Sequence, residues 1–494
     1  MTRVVVIGGG AAGLSSALAL LDTFRARGGS VRSGATGSRS SSSSPALSLV
    51  VLEAREQVGG RVSSEQHGGF VIETGAATIP ESASGFLELS TRLGLRPDLV
   101  YSDERASRRY LWRSGRLRRL PARPPEILTS DALSLQARLR LLAEPLIPPA
   151  PGSMEAKPGA ESPDSDESIA AFCRRRLGPR VTSELVDAVV GGIWAGDIEE
   201  LSMRSALPKL WQMERQHGSL LAAVRSSRKT PGAPAAPMRL CGFRHGMGQL
   251  TQALARAVTD AGGEVRLCSP VRGLQRSGGV YDVALDGETL QAERVILAVP
   301  PPEAARLLAP IDAPLSELYA GIPMVPIVAI TLSWPREQVP HPLDGFGFLV
   351  PRAERLRDGP RLLGGLFMTS ALPEFDQAPR GQVVVRAMYG GAHDPEVVHM
   401  PDGELLEQVR RDLRTALGIW TEPRFIHIQR WPQGIEQYVR KHAVRVANIE
   451  ARLGGLAGLA AVGAALHGVS VPDVLAHGSE AGAQIAAHLP VRGQ

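Results

Sequence analysis

The chain has 494 residues, more than one hydrophobic core ordinarily organises, so two or more substructures are expected. Hydrophobic residues make up 43% and charged residues 21%, which excludes wholesale disorder, and aromatics at 4% leave Leu, Val and Ala to build the core. The formal net charge of +5 rests almost wholly on arginine, because lysine occurs only at Lys157, Lys209, Lys229 and Lys441; such an excess suits carboxylate, phosphate or acidic lipid, and equally reflects a GC-rich genome.

The first strand is expected over 3–7, an apolar run suited to burial on both faces. Val4 follows Met1 closely, so no basic leader or hydrophobic signal region is expected, and a cytoplasmic location is expected. Gly8-Gly-Gly10-Ala11-Ala12-Gly13 comes next and opens a helix over 14–24. Gly8, Gly10 and Gly13 in this spacing permit a tight turn and close backbone approach, and the helix N-terminus supplies N–H groups for a pyrophosphate. Residues 28–45, rich in Gly and Ser, read as a flexible insertion. The second strand, 46–52, ends on Glu53, a carboxylate placed to accept the hydroxyls of an adenosine ribose. Its separation from the glycines exceeds the usual ~20 residues because the insertion lies between them.

Residues 86–142 read as mostly helical, with a hairpin over 108–120 turning at Ser114-Gly115. A second insertion, 148–167, is followed by helices over 168–190 and 204–225, a Pro/Ala loop over 230–237, and a helix over 248–261. Strands are expected over 264–267, 281–285, 289–290 and 294–299, then 325–332, 347–350, 362–367 and 383–388. A helix over 404–417, strands over 425–429 and 459–462 and a closing helix over 474–489 complete the series. The uncharged stretches 318–335 and 453–472 are broken by Pro or Gly, which argues against membrane spans. Cys173, Cys241 and Cys268 are too scattered for a disulfide framework, and no Cys/His spacing suits a metal.

Glu53-Ala54-Arg-Glu-Gln-Val-Gly-Gly60-Arg61, with the 68–75 block ending Glu73-Thr-Gly75, resembles the two-dinucleotide-binding-domain flavoproteins of the amine oxidase superfamily. That resemblance implies FAD, bound without a covalent link. Matching positions are Gly8 to Gly13, Glu53, Ala54, Gly60 and Arg61, followed by Gly75, Ala76, Ala77 and Thr78. Val271 matches a residue whose backbone meets the adenine, while Trp431 and the turn Val469, Ser470 and Val471 match positions at the flavin.

The blocks at 108–111, 191–203, 345–351 and 431–438 are similar to those of the protoporphyrinogen oxidase family. This similarity implies oxidation of protoporphyrinogen IX to protoporphyrin IX in three two-electron hydride transfers to FAD, with dioxygen reduced to hydrogen peroxide. Arg109 matches the arginine that pairs with a substrate propionate, Gly192 the glycine whose carbonyl faces the macrocycle, and Phe346, Leu349 and Met388 the apolar residues against the pyrrole rings. The flavin carries the chemistry, so no catalytic acid or base is expected. The turn before Asp473 departs from the family pattern, lacking its aromatic in 464–468 and carrying Pro472 in place of Asn.

The fold expected is mixed α/β. A Rossmann-like FAD domain is assembled from 1–85, 240–305 and 425–494, a helical membrane-associating domain occupies 86–225, and a mixed-sheet substrate domain occupies 306–424. Coproporphyrinogen III is the alternative substrate, and a non-catalytic flavin/porphyrin-binding protein is the alternative of another class. An amine oxidase is disfavoured by the scarcity of lysine. Expected partners are the porphyrinogen, dioxygen, a peripheral membrane surface, a ferrochelatase receiving the product and a second copy of the chain. No nucleic acid and no metal are expected.

Overall fold

In the computed structural model, which describes residues 2–31, 46–83, 85–121, 124–127, 129–150, 166–227, 239–375 and 377–491, Val4, Val5, Val6 and Ile7 are all buried. They are buried because strand Thr2–Ile7 runs between Ala46–Leu52 and Arg294–Leu297, parallel to both. Glu264–Arg266 extends this parallel sheet beyond Ala46–Leu52, and Leu459–Ala461 extends it beyond Arg294–Leu297. An all-parallel sheet needs cover on its faces, which is why these strands read as continuous apolar runs.

The architecture is mixed α/β, and the chain divides into two units. Met1–Val100, Leu240–Ile322 and Arg445–Gln494 form the first. Besides the parallel sheet it carries an antiparallel sheet of Gly273–Ser277, Val280–Ala284 and Thr289–Ala292. Leu274, Tyr281 and Val283 of that sheet share one core with Val5, Leu297, Leu307, Leu315 and Ile449. Helices Ala11–Ala26 and Val471–Ala487 pack so closely that a Cβ on Gly482 would stand 2.0 Å from the Ser16 carbonyl oxygen.

Tyr101–Arg239 and Pro323–Val444 form the second unit. Its seven-stranded sheet runs in the order Phe425–Glu436, Met324–Pro335, Gln382–Gly390, Gly364–Phe367, Gly347–Leu349, Arg109–Arg113, Arg116–Arg119. Every neighbouring pair is antiparallel except Gly347–Leu349 with Arg109–Arg113, which is parallel. One face, with Trp112, Val328, Ile330, Phe348, Ala387 and Tyr389, is buried in a core shared with Leu405, Val409 and Leu413 of helix Asp402–Leu417. The helical part of this unit is pinned by an ion pair between Arg176 and Glu144, both at 0% exposure. Glu144 also accepts from Ser219 Oγ at 2.6 Å and from the N–H groups of Leu220 and Leu221 at 3.0 and 3.1 Å, which ties it to the start of helix Leu220–Ser227.

The structure corrects several sequence expectations. Helix over 204–225 is three pieces, Met203–Ala206, Pro208–His217 and Leu220–Ser227, parted by Pro208 and by Gly218 in the left-handed region. Strand Gly273–Ser277 and helices Pro301–Leu308, Ala313–Ala320 and His442–Gly454 were not expected. Of the insertion 28–45, Ser30–Val31 is a short strand paired with Ala46 and Leu47. Residues 32–45, 151–165 and 230–237 lie outside the described residues. Domain limits differ too. Residues 86–100 and 306–322 belong to the first unit, residues 425–444 to the second because Phe425–Glu436 pairs with Met324–Pro335, and 101–225 shares one unit with 323–424.

Burial alone would raise the Glu144 pKa, but hydrogen bonds from Ser219, Leu220, Leu221 and Arg176 outweigh it and hold the carboxyl below its usual range. Glu144→Gln leaves buried Arg176 with only the more distant Glu214 carboxylate at 3.5 Å, and urea unfolding is expected to show a loss of about 3 kcal/mol. Glu199→Gln at the exposed Arg174 pair is expected to cost about 0–1 kcal/mol. Because the folded-state pKa is lowered, the stabilisation is present above the unfolded carboxyl pKa. It is lost as pH falls through the folded value, so the wild-type advantage over Glu144→Gln shrinks in acid.

Candidate functional site

In the first unit the expected cofactor residues converge through backbone contacts. Strand Thr2–Ile7 ends in the glycine turn, and Gly8 N–H donates to the Leu52 carbonyl at 2.8 Å, which places the turn beside Glu53. A Cβ on Gly13 would lie 2.0 Å from the Gly8 carbonyl oxygen and 3.1 Å from Ala298 Cβ, so only glycine lets helix Ala11–Ala26 start this close to the strands. That helix has Gly10 at its N-cap with no side-chain cap, and no acid in its first turn. Its N-terminal N–H groups and positive dipole end are thereby presented to an anion.

Glu53 is buried at 8% exposure and held from two sides. Gly9 N–H donates to Oε2 at 2.8 Å and Arg55 N–H to Oε1 at 3.0 Å, which fixes a carboxylate whose remaining lone pairs can accept from hydroxyls. Gly59 N–H donates to the Gly9 carbonyl at 2.9 Å, seating the 59–61 loop on the glycine turn. Ala76 N–H donates to the Arg61 carbonyl at 3.0 Å, so Gly75, Ala76, Ala77 and Thr78 follow directly from that loop. Ser269 N–H donates to the Glu53 carbonyl at 2.8 Å and brings Val271 toward the same end of the sheet. The Val271 carbonyl accepts from Arg306 at 2.7 Å, a neighbour sequence reading did not single out.

Val469, Ser470 and Val471 stand at the start of helix Val471–Ala487, whose N-cap is Ser470. Asp473, in the first turn, accepts from Ser470 Oγ at 2.5 Å, and its N–H donates to that oxygen at 3.3 Å. Ala54 is exposed at the strand end. Trp431 lies in the second unit, packed with Met388 and Ile435 against Ala195, Val325, Ile327 and Leu363. The turn, the uncapped helix start and the clamped carboxylate fit the pyrophosphate and ribose of an adenine dinucleotide.

The second unit gathers the expected substrate residues on the sheet face opposite its buried core. Arg109 stands opposite Gly347, Leu349 opposite Gly364, and Gly364 opposite Met388, and residues directly opposite in register share a face. Leu349 and Met388 are half-buried there. The Arg109 guanidinium lies 5.8 Å from the centre of the Phe346 ring. Gly192, exposed on helix Asp187–Trp194, meets Leu349 so tightly that a Cβ would fall 2.6 Å from Leu349 Cδ2.

The arginines around Arg109 are mostly committed. Arg105 pairs with Asp103, Arg108 with Asp344, Arg113 with Glu184, and Arg116 and Arg118 with Asp131. Asp344 also accepts from Tyr110 Oη at 2.7 Å, and burial first, then this carboxylate, pushes the Tyr110 pKa up to about 12. Among the described residues Arg109 and Arg119 have no carboxylate partner, and Arg119 stands opposite Tyr110, on the other face.

The chain is similar to known flavoproteins along most of its length. The family described as flavin containing amine oxidoreductase matches residues 11–486. The chloroplastic protoporphyrinogen oxidase of Nicotiana tabacum is 29% identical over 86% of this chain and 78% of its own length. The coproporphyrinogen III oxidase of Propionibacterium freudenreichii is 30% identical over 96% of this chain and 88% of its own. A solved structure from Exiguobacterium sp. 255-15 matches at a TM-score of 0.79 and 23% identity over 99% of each chain, which shows the fold. The cofactor is FAD. Glu53→Gln is expected to weaken FAD binding by ~10–100-fold, the loss of a charge-assisted contact of about 1.5–3 kcal/mol. Titration of the apoprotein by flavin fluorescence checks this, with apoprotein melting measured alongside to separate binding from folding.

Proposed function

The chain belongs to the flavin containing amine oxidoreductase family, and on that premise we propose that it oxidises a porphyrinogen to the corresponding porphyrin in tetrapyrrole biosynthesis. Protoporphyrinogen IX is the first reading. Coproporphyrinogen III is the second, because relatives named for both substrates match along most of their length. The observation that carries the proposal is Arg109. It is the arginine of its cluster that lacks a carboxylate partner among the described residues and also stands on the face of Leu349 and Met388.

Bound FAD supplies the two-electron acceptor, used three times per porphyrinogen with dioxygen as the final oxidant. The protein's task is then orientation and water exclusion. Arg109 donates paired N–H groups to a carboxylate arm and sets the angle of the macrocycle. Leu349 and Met388 offer half-buried apolar surface to its rings, and Gly192, lacking a Cβ, lets its helix pack directly against Leu349.

Peripheral membrane contact belongs to the same proposal, since a porphyrinogen partitions from water. Among the described residues no helix is long and apolar enough to cross a membrane. The 105–119 arginines, expected to meet anionic lipid, are largely engaged by carboxylates. A leucine row suits a bilayer surface better. Helix Leu135–Leu142 exposes Leu135 at 63%, Leu139 at 57% and Leu142 at 42%, and Leu146 beyond it is exposed at 82%.

Arg109→Ala is expected to lower kcat/KM for porphyrinogen by ~10–100-fold, chiefly through KM, with Arg109→Lys between the two. Unchanged kcat/KM in steady-state assays of both variants would remove Arg109 from the site. Leu139→Asp with Leu146→Asp is expected to cut co-sedimentation with phosphatidylcholine–phosphatidylglycerol vesicles several-fold at unchanged activity on micellar substrate. Equal sedimentation of variant and wild type speaks against the leucine row.

A further inference from the structure

Beyond Leu349 the chain turns at Pro351 into the short helix Arg352–Arg355, and here three nitrogen-bearing side chains come together, the two arginines without an ion pair among the described residues and His393 with only a long contact to Asp197. The Arg352 N–H donates to Asp187 Oδ2 at 2.9 Å, but its exposed guanidinium makes no hydrogen bond or ion pair with the described residues. Arg355 is half-buried with no ion pair among the described residues, and its Nε is fully enclosed with no hydrogen-bond partner there. His393 Nε2 is likewise enclosed and unbonded, 3.7 Å from Asp197 Oδ2.

The acids nearby are already engaged. Arg361 holds Asp394 through two bonds of 2.8 and 2.7 Å, Asp187 receives the Arg352 backbone, and Asp197 Oδ1 accepts from Glu199 N–H at 2.9 Å. Burial lowers the Arg355 pKa against the pull of Asp187 and Asp394. Burial and Arg352 lower that of His393, against the pull of Asp197 and Asp187. Enclosing guanidinium donors without acceptors is costly, and an incoming anion removes the cost.

The place of this cluster gives the anion its chemistry. Arg109 is level with Gly347, and Arg352 follows five residues later along extended backbone, a separation of up to ~17 Å at the rise of a strand. Between them lie Leu349 and, packed on it, Gly192 of the helix that carries Asp187. The surface proposed for the macrocycle therefore has an unpaired guanidinium at each end. We propose that Arg352, Arg355 and His393 form a second carboxylate site, which takes an arm on the edge of the macrocycle opposite the one held by Arg109. This rests on the porphyrinogen reading. A substrate with carboxylates on all four rings, coproporphyrinogen III, fills both ends, whereas protoporphyrinogen IX, with two on neighbouring rings, fills one.

Binding of the stable porphyrins tests this apart from turnover. With the FAD-loaded protein, quenching of porphyrin fluorescence is expected to show tighter binding of coproporphyrin III than of protoporphyrin IX. Arg352→Gln is expected to weaken coproporphyrin III by ~10-fold while changing protoporphyrin IX less than ~2-fold, with Arg352→Lys recovering part of the loss. Equal effects on the two porphyrins, no effect on either, or no porphyrin binding by the wild type overturns the second site. Selective loss with a wild type that binds both porphyrins yet oxidises neither porphyrinogen upholds the site and overturns the proposed activity. The KM for coproporphyrinogen III is expected to rise with kcat unchanged, and a fall in kcat alone contradicts a binding role.

Discussion

The closeness of helix Ala11–Ala26 to the strands at Gly8 and Ala298 is the constraint on which the first unit depends. With no Cβ at Gly13, the helix begins almost in contact with the Gly8 carbonyl. Its N-terminus then faces outward uncapped, Glu53 is clamped by Gly9 N–H, and the 59–61 loop docks on the Gly9 carbonyl. Each of these contacts comes from a different stretch of chain, yet all of them require the same turn. The electrostatics follow from the geometry, since a helix start free of acids suits a pyrophosphate and a fixed carboxylate suits the ribose that adjoins it in an adenine dinucleotide.

A comparable constraint orders the second unit. The parallel pairing of Gly347–Leu349 with Arg109–Arg113 is the exception in a sheet otherwise antiparallel, and it joins segments more than two hundred residues apart. By placing Arg109 level with Gly347 it puts the guanidinium on the face of Leu349 and Met388 rather than in the Trp112–Phe348 core. A register slip of one residue would bury the charge and expose Tyr110. Charge pairing then sharpens the site. Asp103, Asp344, Glu184 and Asp131 absorb the neighbouring arginines and leave Arg109 available.

Local chemistry made much of this legible in sequence. The glycine turn after 3–7, the strand ending on Glu53 and the hairpin at Ser114-Gly115 each depend on residues close in the chain, and each stands where expected. Helix His442–Gly454 was equally readable, because Val446, Ile449 and Leu453 recur at helical spacing. Other features were beyond local patterns. Burial of Arg176 against Glu144 needs two helical segments to meet, and the unpaired state of Arg352 and Arg355 depends on which distant acids are occupied. Charge in a sequence is visible, but whether a charge is satisfied is decided by tertiary structure.

Transfer of electrons from a porphyrinogen to the bound flavin is the central proposal. Anaerobic titration of the FAD-loaded protein, followed by bleaching of the flavin absorbance, measures it directly. Removal of six electrons predicts that one equivalent of porphyrinogen bleaches three equivalents of flavin as one equivalent of porphyrin appears. Flavin that stays oxidised in the presence of bound porphyrinogen would contradict the account.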